Sequence, residues 1–159
     1  MKNVYFYDFP IGSLGIAEDS GRVSRVFFNN EKDLTGLEKA GFEKAETPLI
    51  KKAVSQLEEY FKLKRTHFDL PLALGGTDFQ CSVWEALQTI PFGRTSSYGD
   101  IAAKIGNPKA SRAVGMANNR NPIVIIVPCH RVIGKNGSLT GYGGGLKVKQ
   151  FLLELEKKL

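Results

Sequence analysis

Two short segments near the start of the chain alternate apolar and polar residues. They cover residues 4–9 and 22–28, and glycine-containing turns separate them. Alternation with a period of two, bounded by turn residues, predicts β-strands, so we expect a small antiparallel sheet. Further on, Thr47 followed by Pro48 predicts a helix start, and apolar residues then recur at helical spacing as far as Phe61. One amphipathic helix is expected to cover the sheet.

The second half of the chain carries two capping boxes. Thr77 with Gln80, and Ser97 with Asp100, each place a hydroxyl three residues before a side chain that can bond back to the cap. The first pair predicts a helix with an apolar face, which is interpreted as scaffold. The second pair predicts a short helix that Gly106 stops.

Another short helix is predicted directly after that glycine. Asn107-Pro108 is interpreted as its cap, and small residues follow along it. Two short helices joined by a tight turn are typical of a helix-turn-helix, which presents its second helix to a nucleic-acid groove. Helical hairpins also occur in proteins that never touch DNA, so the pattern alone leaves both interpretations open. The small residues are Ala110, Ala113, Val114 and Ala117.

An irregular connection over residues 66–76 separates two compositions. Residues 1–74 hold 11 basic and 11 acidic side chains, whereas residues 75–159 hold 11 and 5. We therefore predict an α+β fold in two parts: an N-terminal antiparallel-sheet-plus-helix domain at 1–75, and a mostly helical domain with the helix-turn-helix at 76–159. The positive excess of the second part would attract a polyanion, with nucleic acid as the leading partner. The alternative is a merely solvated basic surface.

Composition limits the remaining possibilities. The chain has no signal-peptide pattern and no apolar run long enough to span a membrane, which predicts a soluble, cytoplasmic protein with no membrane partner. Two cysteines and two histidines fit neither a disulfide framework nor a zinc spacing, so we expect no metal and no cofactor. Cys81 and Cys129 are then free thiols.

Cys129 is the candidate nucleophile. The apolar run 123–127 predicts a buried extended segment that delivers Pro128-Cys129-His130-Arg131 to its end. A cysteine attacks as the thiolate, and a neighbouring histidine or cation can lower the thiol pKa. His130 can act through a water, and Glu156 is a candidate to orient the imidazole. The alternative is a buried, inert thiol.

The segment Pro128-Cys-His-Arg-Val132 resembles the signature of the DNA O6-alkylguanine alkyltransferases, the family of the methylated-DNA–protein-cysteine methyltransferases. The similarity covers about the last 80 residues, while the first 75 resemble the family in layout only. The matching pieces are Phe79-Gln80, Val83-Trp84, Ser97-Tyr-Gly-Asp100, Gly106-Asn-Pro108, Arg112-Ala-Val-Gly115, Asn121-Pro122 and Gly144-Gly-Leu146.

The resemblance implies repair of alkylated DNA with one turnover per molecule. Cys129 would take the alkyl group from O6 of guanine as a stable thioether, and His130 with Glu156 would form the relay that generates the thiolate. Tyr98 would donate a hydrogen bond to the departing guanine and crowd the phosphate, so that the nucleotide rotates out of the stack. Arg112 would fill the vacated place.

The resemblance also implies supporting roles. Asn121 would brace the turn before the reactive segment. Ala110, Ala113 and Ala117 would allow close approach to the minor groove. Small side chains at these positions equally suit packing against other helices. The pocket for the flipped base would be formed by Tyr142, Val132, Gly143 and Gly144, with Gly143 where some relatives carry serine.

The implied partner is duplex DNA carrying O6-alkylguanine. We expect a monomer, since no heptad or dimer pattern is present. Activity on O4-alkylthymine and cooperative binding on DNA are open alternatives.

Three rival functions use parts of the same pattern. Alkyltransferase-like proteins flag lesions without an acceptor cysteine, and Cys129 argues against that class. A thiol hydrolase with Cys129, His130 and Glu156 would turn over repeatedly, but it would have no use for a basic helix pair. A sequence-specific regulator would require a preferred DNA sequence and a dimer interface.

Overall fold

The computed structural model describes all 159 residues. The chain forms two compact units, Met1–Ala73 and Leu74–Leu159. Strands dominate the first unit and helices the second, so the predicted α+β class is confirmed. None of the helices combines the length and the apolar character that a membrane crossing requires.

The first unit contains a four-stranded sheet in the order β3-β2-β1-β4. Strands β1 (Lys2–Phe9), β2 (Gly12–Asp19) and β3 (Arg22–Phe28) are antiparallel neighbours, whereas the short β4 (Glu43–Lys44) runs parallel to β1. The predicted antiparallel sheet is formed by β1, β2 and β3, and the short β4 adds a parallel edge strand that was not predicted. Strand β2 lacked a sequence signal because five consecutive residues in it are buried, so its polarity does not alternate.

Two helices accompany the sheet, where one was predicted. Helix α2 (Pro48–Phe61) begins as predicted, with the Thr47 hydroxyl accepting from the Ile50 amide at 3.2 Å, and it packs on β1, β2 and β3. Helix α1 (Glu31–Lys39) was missed because only Leu37 on it is buried. Leu37 packs with buried apolar residues of the sheet, namely Val4, Ala17 and Phe27.

The second unit follows the predicted order of helices. Both predicted capping boxes are confirmed, at the starts of α3 (Asp78–Leu87) and α4 (Tyr98–Lys104). The closing helix α6 (Leu146–Glu156) is also confirmed. Between them lie α5 (Ser111–Asn119), a single 3-10 turn at Cys129–Arg131, and a parallel pair formed by β5 (Ser96–Ser97) and β6 (Val132–Ile133).

Helix α5 begins later than predicted. Its N-cap is Ala110, which provides no side-chain cap, so the expected cap at Asn107-Pro108 is wrong. A proline disfavours helical backbone in the residue before it, and the Ala110 amide closes a turn onto the Asn107 carbonyl at 3.0 Å. The connection from α4 to α5 therefore spans residues 105–110, and the helix-turn-helix stays a prediction.

The apolar run 123–127 is buried but not extended. The Ile126 amide bonds to the Val124 carbonyl at 2.8 Å, the Val127 amide bonds to the Ile123 carbonyl at 3.0 Å, and Ile125 has φ +71°. The run is thus a tight turn, and the prediction of an extended segment is wrong. Apolar composition reports burial here, but it carries no information on how the backbone satisfies its own polar groups.

Candidate active site

Cys129 opens the 3-10 turn and is 3% exposed. Burial raises the pKa of its thiol to about 11, while the Asn121 side chain, the Lys149 charge and nearby backbone amides act in the opposite direction. Burial therefore outweighs the neighbouring polar groups and favours the thiol over the thiolate.

His130 and Glu156 form a buried pair although 25 residues separate them in the sequence. His130 Nε2 lies 2.6 Å from Glu156 Oε2, because α6 returns its last turn to the reactive segment. Burial lowers the pKa of His130, and the charges of Arg131 and Lys149 lower it further against the effect of Glu156. The imidazole is therefore neutral, with Nε2–H donated to Glu156. Its Nδ1 is buried without a protein partner, so that lone pair can accept a proton.

Arg131 binds the carboxylate rather than the thiol. Its Nε donates to Glu156 Oε1 at 2.8 Å, and a terminal nitrogen donates to Oε2 at 3.1 Å. The other terminal nitrogen donates to the Ile90 carbonyl at 2.8 Å, and the Gly93 amide donates to Oε1 at 3.0 Å. Burial raises the pKa of Glu156, but the bonds and charges of His130 and Arg131 prevail and hold it at about 2. Glu156 is thus an anion with both oxygens occupied.

Asn121 holds the tight turn that precedes Cys129. Its amide nitrogen donates to the Val127 carbonyl at 2.7 Å, and its oxygen accepts from the Ile123 amide at 2.9 Å. Asn118, which the sequence analysis missed, is 1% exposed and donates to the Cys129 carbonyl at 3.3 Å. Two asparagine side chains thus fix the backbone before and at the cysteine.

Lys149 is a second residue that the sequence analysis missed. It is fully buried on α6, and its Nζ donates to the Val132 carbonyl at 2.5 Å and to the Thr140 carbonyl at 2.7 Å. Burial lowers its pKa, whereas the nearby Cys129 raises it. A sequence signal existed: Lys149 lies three residues before Leu152 and seven before Glu156, on the helix face that holds both.

The loop between β6 and α6 carries the predicted base pocket. Tyr98 reaches this loop, where its hydroxyl donates to the Thr140 carbonyl at 3.1 Å and accepts from the Thr140 hydroxyl at 3.0 Å. Burial raises the pKa of Tyr142 well above its ordinary value, and the neighbouring Cys129 adds to this. A Cβ atom on Gly143 would meet the Asn119 carbonyl oxygen at 3.9 Å, so a serine would fit there.

Two other predicted pocket residues flank these. Val132 is fully buried in β6, and Gly144 is partly exposed in the turn before α6. The Val132 carbonyl accepts from the Lys149 ammonium.

Helix α5 exposes Arg112, Ala113 and Met116 on one side, and it contains no acidic residue. Ala110 is partly buried before the first turn. Ala117 is 3% exposed, and its carbonyl accepts from the Trp84 indole at 2.8 Å. The prediction that Ala117 faces a groove is therefore wrong, because its position three residues after the buried Val114 points it into the core.

No group of three or more His, Cys, Asp or Glu side chains is placed to hold a metal ion. The fold and the site together define a protein with a buried cysteine beside a histidine–carboxylate pair, next to a helix that exposes Arg112 and carries no acidic residue. Comparison with known proteins identifies the family.

Residues 78–158 match the family described as 6-O-methylguanine DNA methyltransferase, DNA binding domain, and residues 4–74 match its ribonuclease-like domain. The methylated-DNA–protein-cysteine methyltransferase of Methanosarcina acetivorans is 53% identical over 94% of this chain and 95% of its own. The constitutive enzyme of Bacillus subtilis is 51% identical over 93% and 91%. The crystal structure of Mycobacterium tuberculosis OGT in complex with DNA matches with a TM-score of 0.89 and 47% identity, over 98% of this chain and 93% of that one.

The chain therefore belongs to the 6-O-methylguanine DNA methyltransferase family. The predicted resemblance is confirmed, and it extends to the first domain, where only the layout had suggested it. The predicted enzyme class, a transferase that repairs DNA by moving an alkyl group to a protein cysteine, is confirmed by these relatives.

Proposed function

We propose that this chain takes a methyl or larger alkyl group from O6 of guanine in duplex DNA onto Sγ of Cys129, once per molecule. The bond between O6 and the alkyl carbon breaks, the bond between that carbon and sulfur forms, and guanine leaves. A thioether sulfur is a poor leaving group, so the thiol is not regenerated. The thiol proton passes to His130, directly or through a water, and a proton returns to the guanine.

One observation carries this proposal: His130 is bonded to Glu156 through Nε2, and its Nδ1, which no protein group binds, lies in the same buried turn as Cys129. A thiol with a pKa near 11 requires a base at the moment of attack, and His130 is the neighbouring group in the required protonation state. Glu156 stabilises the imidazolium that forms.

Tyr98 and Tyr142 are proposed to handle the guanine. At rest the Tyr98 hydroxyl is occupied by Thr140. The Thr140 carbonyl also accepts from Lys149, so Tyr98 can turn toward the base without leaving that carbonyl unpaired. Tyr142, Gly143 and Gly144 are proposed to receive the flipped base, which must leave the stack because Cys129 is buried.

The exposed side of α5 is proposed as the DNA contact. Arg112 and Ala113 lie on it, and Arg112 is proposed to enter the stack where the nucleotide leaves. The proposed partner is duplex DNA that carries O6-alkylguanine, and the chain is proposed to act as a monomer. Cooperative binding on DNA and transfer from O4-alkylthymine are open alternatives. A reducing cytoplasm suits this chemistry, since both cysteines are free.

Intact-protein mass spectrometry tests the proposal after mixing with a duplex that contains one O6-methylguanine. We expect a gain of one methylene mass on Cys129 that stops at one equivalent, and no gain with an unmodified duplex. Cys129→Ser must gain nothing, whereas Cys81→Ser, which removes the other free thiol, must react as the parent does. Tight binding without transfer would favour lesion binding, and repeated turnover on an ester would favour a hydrolase.

A further inference from the structure

One carboxylate serves two cationic or basic partners in this site. Glu156 Oε1 accepts from Arg131 Nε at 2.8 Å and from the Gly93 amide at 3.0 Å, and Oε2 accepts from His130 Nε2 at 2.6 Å and from Arg131 at 3.1 Å. The side chains of Arg131 and Glu156 are 8% and 1% exposed. Water therefore contributes little to holding the carboxylate.

The guanidinium that makes this fork is itself fixed. Its third nitrogen donates to the Ile90 carbonyl at 2.8 Å, and its central carbon lies 5.7 Å from the centre of the Phe92 ring. A two-bond fork between guanidinium and carboxylate sets the plane of the carboxylate. With that plane fixed, one lone pair of Oε2 is left directed at His130.

We propose that Arg131 is a positioning residue for alkyl transfer: by sharing the Glu156 carboxylate with His130, it keeps His130 neutral and Nδ1 unprotonated until the lesion arrives. The inference rests on the proposed function and adds the residue that sets the charge of the base. Without Arg131, Glu156 would hold an unbalanced buried charge, and His130 would neutralise it by taking up a proton from solvent.

The charges around His130 support this assignment. Glu156 and Lys149 face it from α6, Arg131 and the Cys129 thiol come from its own turn, and burial together with the two cations lowers the His130 pKa. Tyr142, on the pocket loop near Cys129, is uncharged at neutral pH. Helix α3 packs against the turn with uncharged side chains, and its acidic residues at 78 and 85 are exposed. The buried ones are Val83, Trp84, Ala86 and Leu87.

Nitrogen-15 NMR of labelled histidine side chains tests the charge of His130 directly. The chain has two histidines, and the exposed His67 gives a separate reference signal. In Arg131→Gln, His130 must become protonated at a higher pH than in the parent. In Glu156→Gln it must do so at a lower pH, because Arg131 then acts unopposed. Arg65→Gln breaks the other arginine–glutamate pair of Arg65 and Glu59, and must leave His130 unchanged.

The second readout is the single-turnover transfer rate against pH. The acid limb is the part of the pH–rate profile where transfer slows because His130 becomes protonated. We expect the acid limb of Arg131→Gln to lie at least about one pH unit above that of the parent. At a pH below both limbs, the variant then transfers about ten-fold more slowly. Arg131→Lys keeps the charge and must keep the limb in place, while loss of the fork slows transfer. The test is decided by the pH at which the acid limb lies and not by the rate at higher pH. Above the limb, a more basic His130 also accepts the thiol proton more readily, which can raise the rate.

Each outcome separates the inference from the proposed function. A parent protein that transfers nothing overturns both. If the parent transfers, and Arg131→Gln has the same acid limb and the same His130 titration as the parent, the inference alone is overturned. Arg131 is then a structural residue. Should Arg131→Gln fail to fold, Glu156→Gln decides: a His130 titration that does not move down overturns the inference.

Discussion

Replacing Asn121 by alanine removes both side-chain hydrogen bonds that brace the turn before Cys129. The Val127 carbonyl loses its 2.7 Å donor and the Ile123 amide loses its 2.9 Å acceptor, and both residues are fully buried. The Val127 carbonyl still accepts from the Cys129 amide at 2.8 Å, so losing its second bond costs about 0.5–1.5 kcal/mol. The Ile123 amide is left unpaired, which costs about 1–3 kcal/mol, so the two losses together cost about 2–4 kcal/mol. That is a large share of the roughly 5–15 kcal/mol that stabilises an ordinary domain.

The turn also stores backbone strain that these bonds offset. Ile125 is a β-branched residue at φ +71°, a conformation that costs about 1–3 kcal/mol at non-glycine positions. Once Asn121 is shortened, the turn relaxes away from this geometry, and Cys129 at its end moves relative to His130. Transfer must slow together with the loss of stability. Loss of the asparagine amide also removes a group that lowers the Cys129 pKa.

Urea unfolding followed by tryptophan fluorescence measures the effect, because Trp84 is the sole tryptophan and lies buried in the second unit. With an m-value of about 2 kcal/mol/M, the midpoint of Asn121→Ala must fall by about 1–2 M. The control is Asn119→Ala, an exposed position, which must stay within about 0.5 kcal/mol of the parent. Equal midpoints for the two variants would refute the argument that Asn121 holds the turn.

Three further predictions concern the same site. Gly93→Ala must destabilise the second unit by about 1–3 kcal/mol and slow transfer. The reason is that φ is +79° at Gly93 and an added Cβ would lie 3.3 Å from the Glu156 carbonyl oxygen. An unchanged melting temperature would contradict this prediction. Lys149→Met must change the free energy of unfolding by less than about 2 kcal/mol, because removal of a buried ammonium group offsets the loss of its two hydrogen bonds. The variant must nevertheless transfer more slowly in a stopped-flow assay. A transfer rate equal to that of the parent would show that Lys149 has no part in the reaction. Because the pKa of Glu156 is lowered in the folded state, its carboxylate contributes its full stabilisation at pH values above the ordinary pKa of 4.5. This contribution must disappear as the pH falls from 4.5 toward about 2. In acid titrations, Glu156→Gln must therefore lose less stability than the parent over that range.

Local spacing predicted the elements that depend on neighbours in sequence. The hydroxyls of Thr77 and Ser97 cap their helices through residues three positions on, and Thr47 caps α2 in the same way. Such bonds need only the backbone of one helical turn, so a single sequence contains the whole signal. The Cys129–His130 candidate was found for a similar reason, since its two side chains are adjacent.

Features that depend on distant partners were missed or mistaken. Strand β2 is buried by elements on either side of it in sequence. Lys149 binds the carbonyls of Val132 in β6 and of Thr140 in the following loop. Arg131 follows His130 directly in the sequence, but its side chain is bound by Glu156 and Ile90, which lie far along the chain. A charged residue next to a cysteine in sequence predicts proximity of the backbone, but the direction of a long side chain depends on the acceptors that the fold supplies.

The buried polar residues of the second unit all reduce its stability. They are Asn118, His130, Arg131, Lys149 and Glu156. Each has lost contact with water, so each costs stability that an apolar side chain in its place would not cost. If the chain reacts once, as proposed, a thiol that stays protonated until the correct substrate arrives is protected, because a free thiolate would react with other electrophiles or oxidants. A thiol with a pKa near 11, beside a neutral base held ready by a fixed carboxylate, meets that requirement: reactivity appears when the alkyl carbon and the base meet the sulfur together.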